Sequence, residues 1–169
     1  GVDLELGAEA VRFVATSASR DASNADDFVA GVQGAFQHFG TMPEVVTGDE
    51  EATLSFRGAT GGLRARGIPG PYLVVDLGGG STEWVRGEAT VESACSMDIG
   101  SVRLTERHLH TDPPQADEIA AAVRDIDTAL DRAAEVVDLG GIGSLVGIAG
   151  SVTTITAHAL GLREYDPDR

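Results

Sequence analysis

The chain has 169 residues, with 27 acidic and 12 basic side chains and a net charge of −15. Every basic residue is arginine. A Walker A loop and Schiff-base chemistry on lysine are therefore excluded, and general nucleic-acid binding is disfavoured. The apolar runs are too short to cross a bilayer, so no membrane partner is expected, and the single cysteine, Cys95, precludes an internal disulfide and points to a reducing, cytoplasmic compartment.

Residues 10–16 read as a strand entering a loop. Asn24 is placed to cap a helix with Asp27 three residues on, and Phe28, Val29, Val32, Ala35, Phe36 and Phe39 keep helical spacing up to Gly40. Residues 44–47 form a second short strand, and a helix runs from Asp49 to about Leu63, opened by acids that suit its positive end. The glycine- and proline-rich stretch from Gly61 to Pro71 is the best boundary, which divides the chain into 1–68 and 69–169.

Strands follow near 72–77, 81–86 and 89–97, with a turn at 86–88, then a short helix over 100–109. Asp112-Pro113-Pro114-Gln115 signals a helix start with proline at the first helical position. Ile119, Val123, Ile126, Leu130, Ala133 and Val137 mark one face of that helix, and Gly140-Gly141 ends it. Leu145 to Ala149 reads as a buried strand and Gly150 to Leu160 as a helix. An antiparallel meander, helices and one more strand make a ribonuclease-H-like unit. The first half reads as the tail of a similar unit without its opening hairpin.

Four segments carry chemistry. In 76–83, Asp76 is followed by Gly78, Gly79 and Gly80, then Ser81, Thr82 and Glu83. Glycines let backbone N–H groups crowd an anion, hydroxyls donate to phosphate oxygens, and two flanking carboxylates hold a hard cation that itself binds phosphate. A plain glycine-rich hairpin turn is the bland alternative. A Rossmann fingerprint fits poorly, because Glu83 stands where it requires glycine. In the second segment, Gly48 to Ala52, the acids complement the helix dipole, or one glutamate serves as general base. In the third, Arg20 follows a strand and is either a phosphate clamp or a surface arginine paired with Asp21 or Asp27. In the fourth, Gly147 to Thr154, small residues join a strand to a helix start, which suits either an anion or tight packing. His38, His108, His110 and His158 show no metal-ligand spacing with Cys95. Trp84 reads as a packing residue.

Together these segments resemble the exopolyphosphatase / guanosine pentaphosphate phosphohydrolase (Ppx/GppA) family of the acetate kinase–sugar kinase–Hsp70–actin superfamily. The residues that carry the resemblance are 15–18 with Arg20 and Asn24; Gly48 with 50–52; 76–83; Ile99 to Glu106; Asp112 to Pro114; 147–154; and 165–167. The resemblance implies an α/β, ribonuclease-H-like (actin-like ATPase) fold of two lobes, the first incomplete, since nothing before Val11 supplies the family's first phosphate loop. It implies that Glu51, with Glu50 as its neighbour, activates water, that Asp76 and Glu83 hold Mg²⁺ or another divalent cation, and that Arg20 contacts phosphate. It also implies that Gly78, Gly79, Gly80, Ser81 and Thr82 form one phosphate loop, and Gly147, Gly150 and Ser151 part of another. Ala149 stands where some members carry glycine.

The expected activity is metal-dependent removal of terminal phosphate from inorganic polyphosphate and/or guanosine pentaphosphate, weak or missing in this chain alone. The expected partners are these substrates and a second copy in a homodimer. The rival readings are a non-catalytic polyphosphate or nucleotide sensor and a kinase of the same superfamily. The latter lacks a recognisable sugar-binding pattern.

Overall fold

A computed structural model describes Gly7, residues 9–16, Ser19, residues 22–164 and Asp166. Two compact units make up the chain, Gly1–Glu51 and Ala52–Arg169.

In the first unit, β1 (Val14–Ala15) pairs in parallel with β2 (Glu44–Val45). Between them runs α1 (Ala25–Ala35), followed by a 3₁₀ turn (Gln37–Phe39) that Gly40 closes in the left-handed region at φ 61°. The helical stripe holds only in part, since the helix stops at Ala35, Phe36 and Phe39 fall in the cap and 3₁₀ turn beyond it, and Phe28 is 40% exposed. Val32 is buried, and Phe13 stacks at a tilt on Phe28 and Phe36 with ring centroids 6.1 and 5.8 Å apart. The expected cap is positional only. Asn24 precedes α1 but makes no side-chain cap bond, because its backbone (φ −110°, ψ 27°) is not in the extended conformation that lets a cap side chain fold over the first turn.

The next helix, α2 (Gly48–Ala65), opens with Asp49, Glu50 and Glu51 at the end of the first unit. The Glu51 N–H donates to the Thr47 carbonyl, 2.9 Å away. Arg12 donates to both Glu44 (2.6 Å) and Glu50 (2.7 Å), tying β2 to this first turn.

The second unit contains a four-stranded sheet ordered β5-β4-β3-β6, from β3 (Tyr72–Leu77), β4 (Thr82–Gly87), β5 (Val91–Met97) and β6 (Ser144–Ile148). The meander is antiparallel and β6 lies parallel to β3, as the ribonuclease-H-like reading requires. Strand alternation assigns the two faces. Val74 and Val85 are register partners, fully buried with Tyr72 against Ala52 and Phe56 of α2. The expected boundary at 68/69 falls inside this unit, because the length of α2 from Ala52 onward is the cover of that sheet face. Met97 and Ile99, with Trp84 and Cys95 beside them, form a second cluster with Ile126, Leu130 and Ala133.

Those last three side chains lie on α4 (Ala116–Val136), which follows α3 (Ser101–His108). Its start differs from the reading that put proline first. Gln115 is the N-cap, extended at ψ 160°, and forms a capping box with Glu118. Glu118 accepts from the Thr111 hydroxyl (2.5 Å) and the N–H groups of Gln115 (2.8 Å) and His110 (2.9 Å), and these bonds hold its carboxyl down at about 2. The end also differs. Val137 turns extended and fully buried, so the helix stops at Val136, and Gly140-Gly141 sits in the turn beyond, where the Gly140 N–H donates to Asp138. Ile119 and Val123, expected on the packed face, are half exposed.

On β6, Val146 and Ile148 pack on the α2 side, whereas Leu145, expected to be buried, points to the opposite face and is 70% exposed among the described residues. The final helix is α5 (Ala149–Ala159). Among the described residues no helix is long and apolar enough to cross a membrane.

Candidate active site

The chemistry-bearing loop is the turn between β3 and β4. Asp76 and Glu83 are direct cross-strand partners, so their side chains lie side by side on the sheet face that α2 covers. Ser55 of α2 donates to Asp76 Oδ2 (3.4 Å), and Ser96 of β5 donates to Glu83 Oε1 (2.8 Å). Burial pushes the Asp76 carboxyl above its ordinary value, and the Ser55 bond opposes that shift. Two carboxylates opposite each other repel, and a bound cation relieves that repulsion. Among the described residues no group of three or more His, Cys, Asp or Glu side chains is disposed to hold a metal. A hard-oxygen pair still suits Mg²⁺, which takes one or two protein carboxylates and fills its octahedron with water and substrate phosphate.

The orientation of the loop follows from its carbonyls. The N–H groups at the start of α3 take them: Ser101 donates to Gly78 O (3.1 Å), and Val102 and Arg103 donate to Gly79 O (2.9 and 3.0 Å). In a planar trans peptide the N–H points opposite to the C=O, so the N–H groups of Gly79 and Gly80 are aimed away from α3. The loop is cinched internally by the Gly78 N–H donating to Ser81 O (3.0 Å). Arg103 lays its guanidinium beside Gly80, 3.4 Å from where a Cβ would stand, and ion-pairs with Asp98.

The fourth sequence segment meets this loop. Asp76 is paired with Ile148 at the end of β6, so the chain turns into α5 next to the β3 loop. A Cβ on Gly147 would sit 2.7 Å from Val152 Cγ1, so glycine is what lets α5 close onto β6. The first residues of α5 carry no side-chain cap, which leaves N–H groups at its positive end for an anion. A cleft of about 530 Å³ lies between the two segments, lined by Leu77, Gly78, Gly79, Ser101, Gly150, Ser151, Thr154 and Ile155. The Ser151 hydroxyl reaches Ser101 Oγ across it (3.4 Å).

The structure thus brings Gly78, Gly79, Gly150 and Ser151 together, with Asp76 and Glu83 on the adjoining strands. Gly80 and Ser81 belong to the same turn without lining the cleft, and Gly147 lies behind it under Val152. Thr82 departs from the phosphate-binding expectation. It is buried and donates to the Ile99 carbonyl (2.7 Å), so its hydroxyl pins the α3 approach to β4. Glu51 stands in the first turn of α2. Arg20, Ser17, Ala18, Tyr165 and Pro167 lie outside the described residues. Sequence reasoning gave Ser101 and Thr154 no individual site role, although both lie in segments it singled out, Ile99 to Glu106 and Gly147 to Thr154. The signal for Ser101 was a Gly-Ser pair at a helix start shortly after a strand.

Ala149 is the one non-glycine described at positive φ, 73°. For an L-residue with a Cβ that region costs about 1–2 kcal/mol, and such strain gathers at functional sites. Ala149→Gly is expected to stabilise the chain by about 1 kcal/mol, read as a higher urea midpoint at unchanged slope.

A four-stranded sheet whose acid-glycine-acid hairpin faces a helix N-terminus, with one parallel strand added to a meander, belongs to the actin-like ATPase fold. The chain belongs to the Ppx/GppA phosphatase family, whose profile matches residues 3–166. It is 51% identical to exopolyphosphatase 2 of Mycobacterium tuberculosis over 94% of this chain and 50% of that protein. It is 33% identical to guanosine-5'-triphosphate,3'-diphosphate pyrophosphatase of Photobacterium profundum over 89% of this chain and 29% of that protein. An exopolyphosphatase-like crystal structure superposes with a TM-score of 0.90 at 48% identity, covering 99% of this chain and 53% of that one. The Aquifex aeolicus Ppx/GppA family member gives 0.77 at 32%, covering 99% and 51%. The chain spans about half the length of the exopolyphosphatase it matches, and less of the pyrophosphatase.

Proposed function

We propose that the protein to which this chain belongs is a metal-dependent phosphoanhydride hydrolase that removes the terminal phosphate of inorganic polyphosphate and/or guanosine pentaphosphate. The observation that carries this reading is the cleft where the Gly78–Gly79 turn, Ser101, Ser151 and the start of α5 converge beside the Asp76–Glu83 pair. Relatives named for both substrates support both.

In this reading the N–H groups of Gly79 and Gly80 and the hydroxyls of Ser101 and Ser151 hold the terminal phosphate. Arg103, beside the turn, adds positive charge in a chain that is otherwise strongly acidic, and Arg20 clamps the phosphate. Asp76 and Glu83 would hold Mg²⁺, which when bound supplies charge neutralisation at the phosphate oxygens. Glu51 takes the proton of the attacking water. The net charge supports neither nucleic acid nor an anionic membrane as a partner. The lone Cys95, a free thiol, supports a cytoplasmic setting.

The deciding experiment measures phosphate release from polyphosphate and from guanosine pentaphosphate, with and without Mg²⁺. Release from at least one, lost with EDTA, is expected. Binding of both without release defines a sensor and overturns the catalytic reading. The metal assignment has a separate check in thermal unfolding. Asp76→Asn removes a half-buried charge facing Glu83. It is expected to raise the melting temperature by about 2–4 °C in EDTA and to erase any further rise on adding Mg²⁺. An undiminished Mg²⁺ response in that variant removes Asp76 from the metal site.

A further inference from the structure

A second groove, about 510 Å³, lies between α2 and the β4–β5 turn, lined by Thr53, Arg57, Thr60, Arg64, Thr90 and Val91 among others. We propose that it binds inorganic condensed phosphate as a second contact point for the chain, held by Arg57 and Arg64. The choice of this ligand rests on the function proposed above.

The groove is built from one stripe of α2. Thr53, Arg57, Thr60 and Arg64 recur at spacings of four, three and four, so they share a face. Arg64 is set in place by its surroundings. Its Nη2 donates to the Glu88 carbonyl and reaches Thr60 Oγ1 (3.5 Å), while the guanidinium rests over the Tyr72 ring, 5.8 Å from its centroid. A guanidinium already oriented loses little freedom on meeting an oxyanion. Arg57 is exposed and makes no ion pair with any described residue.

No carboxylate lines the groove. The nearest acid in the turn, Glu88, offers Arg64 only its carbonyl and directs its carboxylate at Gly70. Glu92 faces Arg86 at 3.7 Å. In a chain of net charge −15, a concave site with two arginines and no acid in its wall is a local exception, and it selects anions.

The spacing selects the kind of anion. Seven residues of helix separate Arg57 from Arg64 by about 10 Å along the axis. One phosphate does not fill that span, whereas a linear run of phosphates matches it. The groove is also distinct from the cleft. The strand β4 leads from Thr82, near the β3–β4 turn, to Gly87 beside the groove, a rise of about 16 Å at 3.3 Å per residue. A long strand held at the groove stays attached after its end is cut, whereas a guanosine nucleotide is too short to use both points.

The test is an amide chemical-shift titration of the ¹⁵N-labelled 169-residue chain with sodium tripolyphosphate in EDTA. Shifts are expected at Gly61, Ala89, Thr90 and Val91, at least tenfold weaker with monophosphate. Arg57→Gln is expected to weaken them at least fivefold and Arg57→Glu to abolish them, with Gly78 and Gly79 responding as in the parent. Arg57 is exposed, so neither variant threatens the fold. Groove amides that stay still, that move equally in sodium chloride of the same ionic strength, or that respond alike in Arg57→Glu overturn the proposal. GTP binding there as tightly as tripolyphosphate overturns the choice of an inorganic chain. With the titration repeated in Mg²⁺ in place of EDTA, a response at Thr90 without one at Gly78–Gly79 sinks the functional reading and spares the groove, and the reverse pattern does the opposite.

Discussion

In the full-length protein to which this chain belongs, Glu51→Gln is expected to lower turnover on polyphosphate or guanosine pentaphosphate by about 10²–10⁴-fold, with KM little changed. That corresponds to about 3–5 kcal/mol of the barrier, the share a positioned base contributes. The neighbouring acid supplies the control. Glu50 is committed to Arg12 at 2.7 Å, in the same cluster that binds Glu44. Its amide variant loses an exposed ion pair worth about 0–1 kcal/mol of stability, so turnover should change by less than about tenfold. The contrast matters because both acids sit in the first turn of α2, where either complements the helix dipole. Steady-state kinetics on the two variants separate a dipole role, which costs both alike, from a base, which costs only one. An unchanged kcat in Glu51→Gln removes that residue from the mechanism. A collapse in Glu50→Gln with Glu51→Gln unaffected moves the role one position.

The β3–β4 turn was legible in the sequence because its signals are local. Three glycines between two acids at the junction of two β-branched runs set the strands, the turn and the cross-strand partnership of Asp76 with Glu83. Strand alternation also contained a warning that the sequence reading did not use. Thr82 and Glu83 are consecutive in β4, so their side chains point to opposite faces of the sheet. The structure spends the Thr82 hydroxyl on Ile99 instead. Other features depend on long-range pairing that no short window reveals. Ser101 enters the cleft because α3 docks on the carbonyls of Gly78 and Gly79, 23 residues back for its nearest bond. Leu145 sits in an apolar run that reads as buried, and only the pairing of β6 with β3 shows that its side chain points away from the face on which Val146 and Ile148 pack. Ala149 carries no side-chain signal of a left-handed backbone. Its conformation is imposed by the strand-to-helix turn in which it sits.

Gly100→Ala should then damage the site more than any other single-methyl change in this unit. The backbone at Gly100 is extended (φ −164°, ψ 167°), a conformation any residue adopts, so backbone freedom does not explain the glycine. Space does. A Cβ there would stand 2.5 Å from the Gly79 carbonyl oxygen, 2.6 Å from its carbon and 2.9 Å from the Gly78 oxygen, all main-chain atoms of the phosphate turn. Gly147→Ala is the comparison. Its Cβ would meet Val152 Cγ1 at 2.7 Å, a side-chain methyl rather than main chain. Overpacking against backbone is expected to cost about 1–3 kcal/mol of stability, at the upper end for Gly100 and the lower for Gly147. The larger consequence is functional. The carbonyls of Gly78 and Gly79 are held by N–H groups of α3, so pushing α3 off the turn releases the peptides whose N–H ends are proposed to hold phosphate. Tripolyphosphate affinity at Gly78–Gly79 should fall at least tenfold in Gly100→Ala, while amide shifts at Thr90, at the far end of the sheet, stay as in the parent. Full affinity in a folded Gly100→Ala chain would mean that the turn holds its shape without α3, and that its aim is set within residues 76–83 alone.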